Sequence, residues 1–192
     1  MKKFIINSFA NNKKSALLYA LSLCFAILTM FLSICTVMTF SLTTLCFSLV
    51  AFTFFAGLSF GKSSETVIKA FKVFSFLALL GVSLYGTISS LVLISYYFVT
   101  AVFFSMLADL VFTAVSILLL LSALGVVEVK NFNVIIFIVG AVGSLFFFIS
   151  YILLLAQGFT ASAFLSLLFD TATYTLFFVG LIFDRTNELK PE

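Results

Sequence analysis

Three long stretches with almost no charge constrain this chain more than any other feature. Residues 15–61, 73–127 and 131–183 cover 47, 55 and 53 positions, and Asp109 and Asp170 are the only charged residues within them. A helix needs about 20 apolar residues to cross ~30 Å of hydrocarbon at ~1.5 Å per residue. Each stretch is therefore too long for one spanning helix and has the length of two helices joined by a tight turn.

The composition also indicates that the chain lies in a lipid bilayer. The chain has 192 residues, of which 64% are hydrophobic and 9% are charged, and its mean hydropathy is +1.33. Soluble domains are about a quarter charged, so this chain lacks the polar residues to cover a water-facing surface. Disorder needs low hydrophobicity, and a nucleic-acid binder needs a clustered basic face. We therefore expect an integral membrane protein whose main partner is the lipid bilayer, and no nucleic acid.

The pattern within each stretch favours helices. The strands of a membrane barrel alternate polar and apolar residues, and runs such as 117–121 and 134–139 do not alternate. The sequence predicts an all-α, polytopic transmembrane bundle of six helices in a single domain. The hairpins cover 15–61, 72–126 and 132–183, with tails 1–14 and 184–192 and turns near 37–40, 95–100 and 156–158. The predicted spans are 15–36, 41–61, 72–94, 101–126, 132–155 and 161–183.

The charges predict the orientation. Six spans place every lysine and arginine on one side of the membrane, because these residues fall in the two tails and the two loops between hairpins. Basic residues are concentrated on the cytoplasmic side of membrane proteins. We expect both termini to be cytoplasmic, and the membrane of a bacterial protein of this kind to be the inner one.

Missing residue types exclude several chemistries. The chain has no histidine, which removes an imidazole base and His-bearing metal sites. Cys24, Cys35 and Cys46 lie eleven residues apart, whereas metal sites usually bring cysteines in close pairs. We interpret them as small hydrophobic residues. The sequence predicts no metal, no cofactor and no catalytic residue, and an intramembrane enzyme is the least favoured class.

Asp170 is the residue most suggestive of function. It lies fourteen residues before Asp184, ~21 Å along a continuous helix and hence within the hydrocarbon. A central Asp costs ~2.5–3.5 kcal/mol on insertion. The twelve Leu, Ile, Phe and Val residues of 161–183 return ~4–7 kcal/mol together. The helix still inserts, and an intramembrane carboxylate of this kind usually marks a functional site.

Polar stripes surround both aspartates. Residues four apart share a helix face, which places Ser166 and Tyr174 beside Asp170, and Ser105 and Thr113 beside Asp109. Such stripes face the bundle interior or a wet cavity. The functional interpretation is a site for a cation, a proton or a polar solute. The structural alternative is interhelical hydrogen bonding, worth ~0.6 kcal/mol per bond, and for Asp109 a place at the outer interface. The predicted binding residues are Asp170, Asp109, Ser166, Ser105, Tyr174 and Thr113.

Small residues predict close helix packing. They let helix backbones approach each other in lipid. The residues expected to do so are Ala16, Ala20, Gly81, Gly86, Gly140 and Gly143. The segments 81–86 and 140–145 also align, as do 105–109 and 166–170 with the same serine-to-aspartate spacing. A repeated hairpin explains these matches, and coincidence in a chain rich in Leu, Phe, Ser and Val is the alternative.

Two function classes remain open. A small channel or transporter accounts for buried carboxylates on polar stripes. The alternative is a membrane-embedded subunit or assembly partner, docked through Ala16 and Ala20 on another membrane protein or a second copy of the chain. Six spans with both ends inside are similar in topology to the substrate-binding components of energy-coupling-factor vitamin transporters, and that resemblance implies a partner subunit. The short outer loops count against it.

Overall fold

The fold is described by a computed structural model that covers residues 13–37, 42–60, 65–126, 132–158 and 160–184. Over these residues the chain forms six helices and no strand, which confirms the predicted all-α bundle. In chain order the helices are α1 (Lys13–Val37), α2 (Leu42–Phe60), α3 (Glu65–Tyr96), α4 (Thr100–Ala123), α5 (Phe132–Gln157) and α6 (Ala161–Phe183).

Five helices are long and apolar enough to cross a membrane. They are α1 to α5. In α6, which has 23 residues, the described apolar part is Leu167–Phe183. Large apolar side chains also cover the outside of the bundle, among them Phe31, Phe74 and Ile138, each more than half exposed. An exterior of this kind is stable in lipid and not in water, so the chain is an integral membrane protein.

The helices form a closed ring. Each helix packs antiparallel against the next, α6 returns to pack against α1, and α2 reaches α6 across the ring. The ammonium of Lys14 lies 5.6 Å from the ring centre of Phe183, and deeper in the bundle the rings of Phe25 and Phe169 lie 5.9 Å apart. The described chain therefore begins and ends at the same end of the bundle, which we call the basic end because Lys13, Lys14, Lys69 and Lys72 lie there.

Aromatic rings fill the centre. Phe47 of α2 is fully buried, and its ring centre lies 4.6 to 6.1 Å from four other rings. Those rings belong to Phe112, Tyr174, Phe177 and Phe178. Contact distances of this kind suit edge-on and tilted aromatic pairs. The middle of the bundle is therefore solid.

Two helix boundaries differ from the prediction. α3 begins at Glu65 instead of near residue 72, because hydrocarbon thickness limits the apolar part of a helix and not the helix itself. α4 ends at Ala123 instead of 126. Gly125 has φ +77°, and the amides of Gly125 and Val126 bond to the carbonyls of Ser122 and Leu121, which is a Schellman ending. Positions 38–40 of the first predicted turn lie outside the described residues, as does position 41, where the second span was predicted to begin.

Three of the predicted packing glycines lie at close contacts. An added Cβ would collide with Asp109 at Gly86 and with Phe178 at Gly140, and would lie 2.7 Å from the Phe112 ring at Gly143. The prediction for Gly81 is wrong for the described part of the chain. Gly81 lies on the exposed face of α3 and has no atom within 4 Å of an added Cβ, because α3 touches its neighbours with its other face.

The two predicted packing alanines and the cysteines differ in their exposure. Ala16 is 2% exposed inside the bundle, and Ala20 is half-buried. Cys46 is buried, as expected of a small hydrophobic residue, whereas Cys24 faces outward. The side chain of Cys35 lies outside the described part. Because Gly81 is exposed and its aligned position Gly140 is buried, the two hairpins do not use these glycines alike.

Candidate functional site: a buried carboxylate cluster

Asp170 lies at the centre of a polar cluster inside the bundle. Its side chain is 1% exposed. The hydroxyl of Thr44 in α2 donates to its Oδ1 at 2.8 Å, and the hydroxyl of Tyr151 in α5 donates to its Oδ2 at 3.0 Å. Each carboxylate oxygen thus has a donor from a different helix, and these bonds tie α6 to α2 and α5.

Two more hydroxyl groups border the carboxylate. Tyr174, one turn beyond Asp170, is 1% exposed, and its Oη lies 3.3 Å from Oγ1 of Thr44. Thr29 of α1 donates to the carbonyl of Phe25 at 3.0 Å and also lies within hydrogen-bonding reach of Asp170. Four helices therefore contribute to the Asp170 cluster, which we define as Thr29, Thr44, Tyr151, Asp170 and Tyr174.

The Asp170 cluster contains no cationic side chain. In the described ranges the basic residues are the four lysines of the basic end, and α6 carries none. A buried carboxylate is normally matched by a cation or neutralised. Here the protein supplies neutral hydroxyl donors only. The arrangement is suited to a ligand that itself brings positive charge, such as a proton or a metal cation.

Asp109 is also buried, on the α3 side of the interior. Its side chain is 6% exposed and lies against Gly86, where an added Cβ would be 2.8 Å from its Cγ. No described residue donates a hydrogen bond to its carboxylate. Phe112, about one turn beyond Asp109, packs its ring 5.3 Å from that of Tyr174. Asp109 thus lies on the part of α4 that packs toward Tyr174, inside the bundle instead of at an exposed outer interface.

The other predicted site residues lie farther from Asp170. Thr113 lies one turn from Asp109, and its hydroxyl is 3.0 Å from that of Ser83 and 2.9 Å from the Asp109 carbonyl. Ser105 is half-buried on α4 and supplies neither of the donors to Asp170. The side chain of Ser166 lies outside the described part. The structure thus brings Asp170 and Tyr174 together in one cluster and places Thr113 beside Asp109, on the α3 side of the interior.

A second polar group lies at the basic end. The hydroxyl of Tyr19, fully buried in α1, donates to Oδ2 of Asp184 at 3.1 Å. Asn133 of α5 donates to the Asp184 carbonyl at 2.9 Å. Lys72 interacts electrostatically with the same carboxylate, and its ammonium lies 4.8 Å from the ring centre of Phe54. We call these residues the basal cluster.

Aromatic rings separate the two clusters. The ring centres of Tyr174 and Phe47 lie 4.6 Å apart, and those of Phe47 and Phe177 lie 6.1 Å apart. The ring centres of Phe177 and Tyr19 lie 5.7 Å apart. Tyr19 belongs to the basal cluster and Tyr174 to the Asp170 cluster. Each of these rings is at most 1% exposed. The conformation shown is therefore closed between the Asp170 cluster and the basic end.

Thr44 and Tyr151 were not among the site residues predicted from the sequence. Tyr151 lies in no polar stripe on its helix, and Thr44 has only Ser48 four residues beyond it, a shorter pattern than the stripes of α4 and α6. A weaker signal is present, because Tyr151 is the only tyrosine of the very apolar α5. A tyrosine hydroxyl buried in lipid needs a partner. Finding that partner requires the arrangement of the helices.

Comparisons with known protein families, with curated proteins and with solved structures found no match to this chain. The function is therefore inferred from the geometry of the two clusters.

Proposed function

We propose that the protein is a small transporter-type membrane protein whose intramembrane site, around Asp170, binds a cation, a proton or a small polar solute. One observation carries the proposal. A fully buried carboxylate is held by hydroxyl groups from other helices, and no cationic side chain of the described chain compensates it. Intramembrane carboxylates are costly and typically mark ion or proton pathways.

The packed aromatic centre favours a carrier over a permanently open channel. A channel needs a continuous path, whereas fully buried rings separate the Asp170 cluster from the basic end. A carrier exposes its site to one side at a time by moving helices. In this interpretation the closed structure is one of its two access states.

The substitution Asp170→Asn tests the site. Asparagine keeps the size and still accepts a hydrogen bond, so we expect the variant to insert and fold. It cannot bind a proton or balance a cation, so we expect flux to be abolished. Protein reconstituted in liposomes is assayed with a pH-sensitive dye and with radioactive sodium. Thr53→Val is the control, because Thr53 is buried in α2 but donates to Val50 of its own helix. Unchanged flux in Asp170→Asn, with flux in wild type, contradicts the proposal.

We also propose that the basic end is cytoplasmic. Support comes from the four described lysines at that end and from the return of the chain to it at Asp184. The positive-inside rule assigns such an end to the cytoplasm. Tags on both termini, probed in intact cells by an impermeant reagent, report the orientation. Labelling of either tag from outside contradicts it.

The partner-subunit alternative gains no support from its expected surface. Ala16 is already packed inside the bundle, so Ala16 and Ala20 do not form an exposed pair. Purification in a gentle detergent followed by mass spectrometry tests this alternative directly. A companion membrane protein in fixed ratio with this chain would favour it.

A further inference from the structure

The structure leaves one buried carboxylate without a bonding partner. Asp109 is 6% exposed, and in the described chain neither a hydroxyl group nor a cation bonds to its oxygens. The hydroxyls one turn away, those of Ser83 and Thr113, lie 3.0 Å from each other. Gly86 provides the space that the carboxylate occupies. Asp109 therefore differs from Asp170, whose two oxygens both accept hydrogen bonds.

An ionised carboxylate in this position would be very costly. Burial of a charge without a partner is so unfavourable that the group is neutralised instead. A metal ion neutralises a carboxylate only with several further oxygen ligands, six or more for Ca²⁺ or Mg²⁺. The described surroundings of Asp109 do not supply such a shell. A proton needs no further ligand.

We propose that Asp109 holds a proton and exchanges it with Asp170, so that the ligand of the site is the proton. This inference rests on the proposed function and names its substrate. Packing brings the two carboxylates to the same part of the bundle. Tyr174 lies one turn beyond Asp170, and its ring centre is 5.3 Å from that of Phe112, which lies about one turn beyond Asp109. Asp109 thus serves as the second proton-binding position of one site.

The groups that face this pair come from several helices. α5 supplies Tyr151, and α6 supplies Asp170 and Tyr174. α2 supplies the thiol of Cys46, which is buried two residues beyond Thr44. From α1 and α3 the nearby residues are Thr29 and Gly86, which do not titrate. No described lysine is among the neighbours, and Asp109 and Asp170 are the two carboxyl groups of this site.

We assign the exchange to Tyr151, because its hydroxyl already donates to Oδ2 of Asp170 at 3.0 Å. No hydrogen bond joins Asp109 to Tyr151 in this conformation, so the exchange requires a movement that brings the Asp109 acid to the Tyr151 oxygen. The O–H bond of the acid then breaks as its proton binds that oxygen. Tyr151 releases its own proton to the Asp170 carboxylate. Tyr151 is neutral before and after, Asp109 becomes the carboxylate, and Asp170 becomes the acid. One proton has moved and none is lost.

Infrared spectroscopy tests the protonation directly. A protonated carboxylic acid has a C=O stretching band well separated from the carboxylate bands. In lipid at neutral pH, in choline chloride without sodium, we expect wild type to show this band and Asp109→Asn to lack one component of it. Asp109→Glu should keep a shifted band, which controls for misfolding. Asp184→Asn, a matched change in the basal cluster, should keep the band unchanged.

Three results overturn the inference. The first is the absence of an acid band that depends on Asp109. The second is loss of that band when sodium chloride replaces choline chloride, which would make a metal cation the ligand. The third concerns the exchange of the proton between Asp109 and Asp170 through Tyr151. Tyr151→Phe should retain the Asp109 band and lower proton flux at least tenfold, and unchanged flux removes the exchange through Tyr151.

These results separate the inference from the proposed function. Flux that depends on Asp170, without an Asp109 acid band, refutes the inference and leaves the transporter proposal intact. An Asp109 acid band, in a wild-type protein that transports neither ions nor polar solutes, refutes the transporter proposal.

Discussion

Thr44→Val removes one hydroxyl from the Asp170 cluster with almost no change of shape. The variant loses the 2.8 Å bond to Oδ1 of Asp170, which joins two helices, and the weaker 3.3 Å contact with the Tyr174 hydroxyl. Interhelical hydrogen bonds in membrane proteins are worth ~0.6 kcal/mol on average and ~1.7 kcal/mol at most. A short, fully buried bond belongs near the top of that range. We expect Thr44→Val to lower the free energy of unfolding by about 1–1.7 kcal/mol.

Thr53→Val is a control on the same helix. Thr53 is also buried, but its hydroxyl donates at 2.7 Å to the carbonyl of Val50 within α2. That carbonyl retains its helical environment when the hydroxyl is removed, and Thr and Val have similar helix propensities. We therefore expect Thr53→Val to change the free energy of unfolding by about 0.5 kcal/mol or less, the usual effect of a change without a special role.

Reversible unfolding in mixed micelles measures both variants. Equal losses in Thr44→Val and Thr53→Val would refute the claim that Thr44 supports Asp170. The magnitude also reports the charge of the acceptor, because bonds to charged groups are worth ~1.5–3 kcal/mol. A loss near 3 kcal/mol would show that Asp170 is ionised in this conformation. That result would mean that Asp170 can receive the proton of Asp109.

Three further predictions use matched pairs. Gly86→Ala pushes a methyl group into the Asp109 carboxylate and should destabilise the bundle by about 1–3 kcal/mol. Gly81→Ala, with open space around it, should be neutral or stabilise by up to ~1 kcal/mol in the same unfolding assay. Ala16→Leu overfills a site that is 2% exposed and should cost about 1–3 kcal/mol, whereas Leu17→Ala at a site 61% exposed should change stability by about 0.5 kcal/mol or less. In a Cys35→Ala background, a small maleimide in detergent should modify Cys24 in the folded protein and Cys46 only after denaturation, as mass spectrometry would show, because Cys46 is 4% exposed. Equal values within either stability pair, or equal rates at the two thiols, would contradict the packing described here.

The helix count was predictable because lipid leaves the backbone few choices. Unpaired amides are too costly in hydrocarbon, so each long apolar stretch folds into helices. The length of each stretch then shows that it forms two spanning helices. Helix ends were less predictable, as α3 shows. Its first turns carry charges outside the apolar span, and hydropathy does not report how far a helix extends into water.

The candidate site was only partly predictable, for a related reason. Asp170 and Tyr174 lie on one face of one helix, so their spacing revealed them. Thr44 and Tyr151 reach Asp170 across 126 and 19 residues of chain, and their place depends on how the ring of helices closes. Gly81 was predicted to pack closely but lies on an exposed face. A small residue permits close packing, but only the neighbouring helices determine whether it occurs.

The contact of α1 with α6 has a consequence for biosynthesis. The hydroxyl of Ser22 donates to the carbonyl of Thr173, which is made 151 residues later. At ~5–20 residues per second, α1 waits about 8 to 30 s in the membrane before that partner leaves the ribosome. During this interval Ser22 and Tyr19 must be shielded by lipid headgroups, by the insertion machinery or by α2 alone. Nascent chains stalled before residue 173 should therefore be the stage at which quality-control proteases recognise this protein.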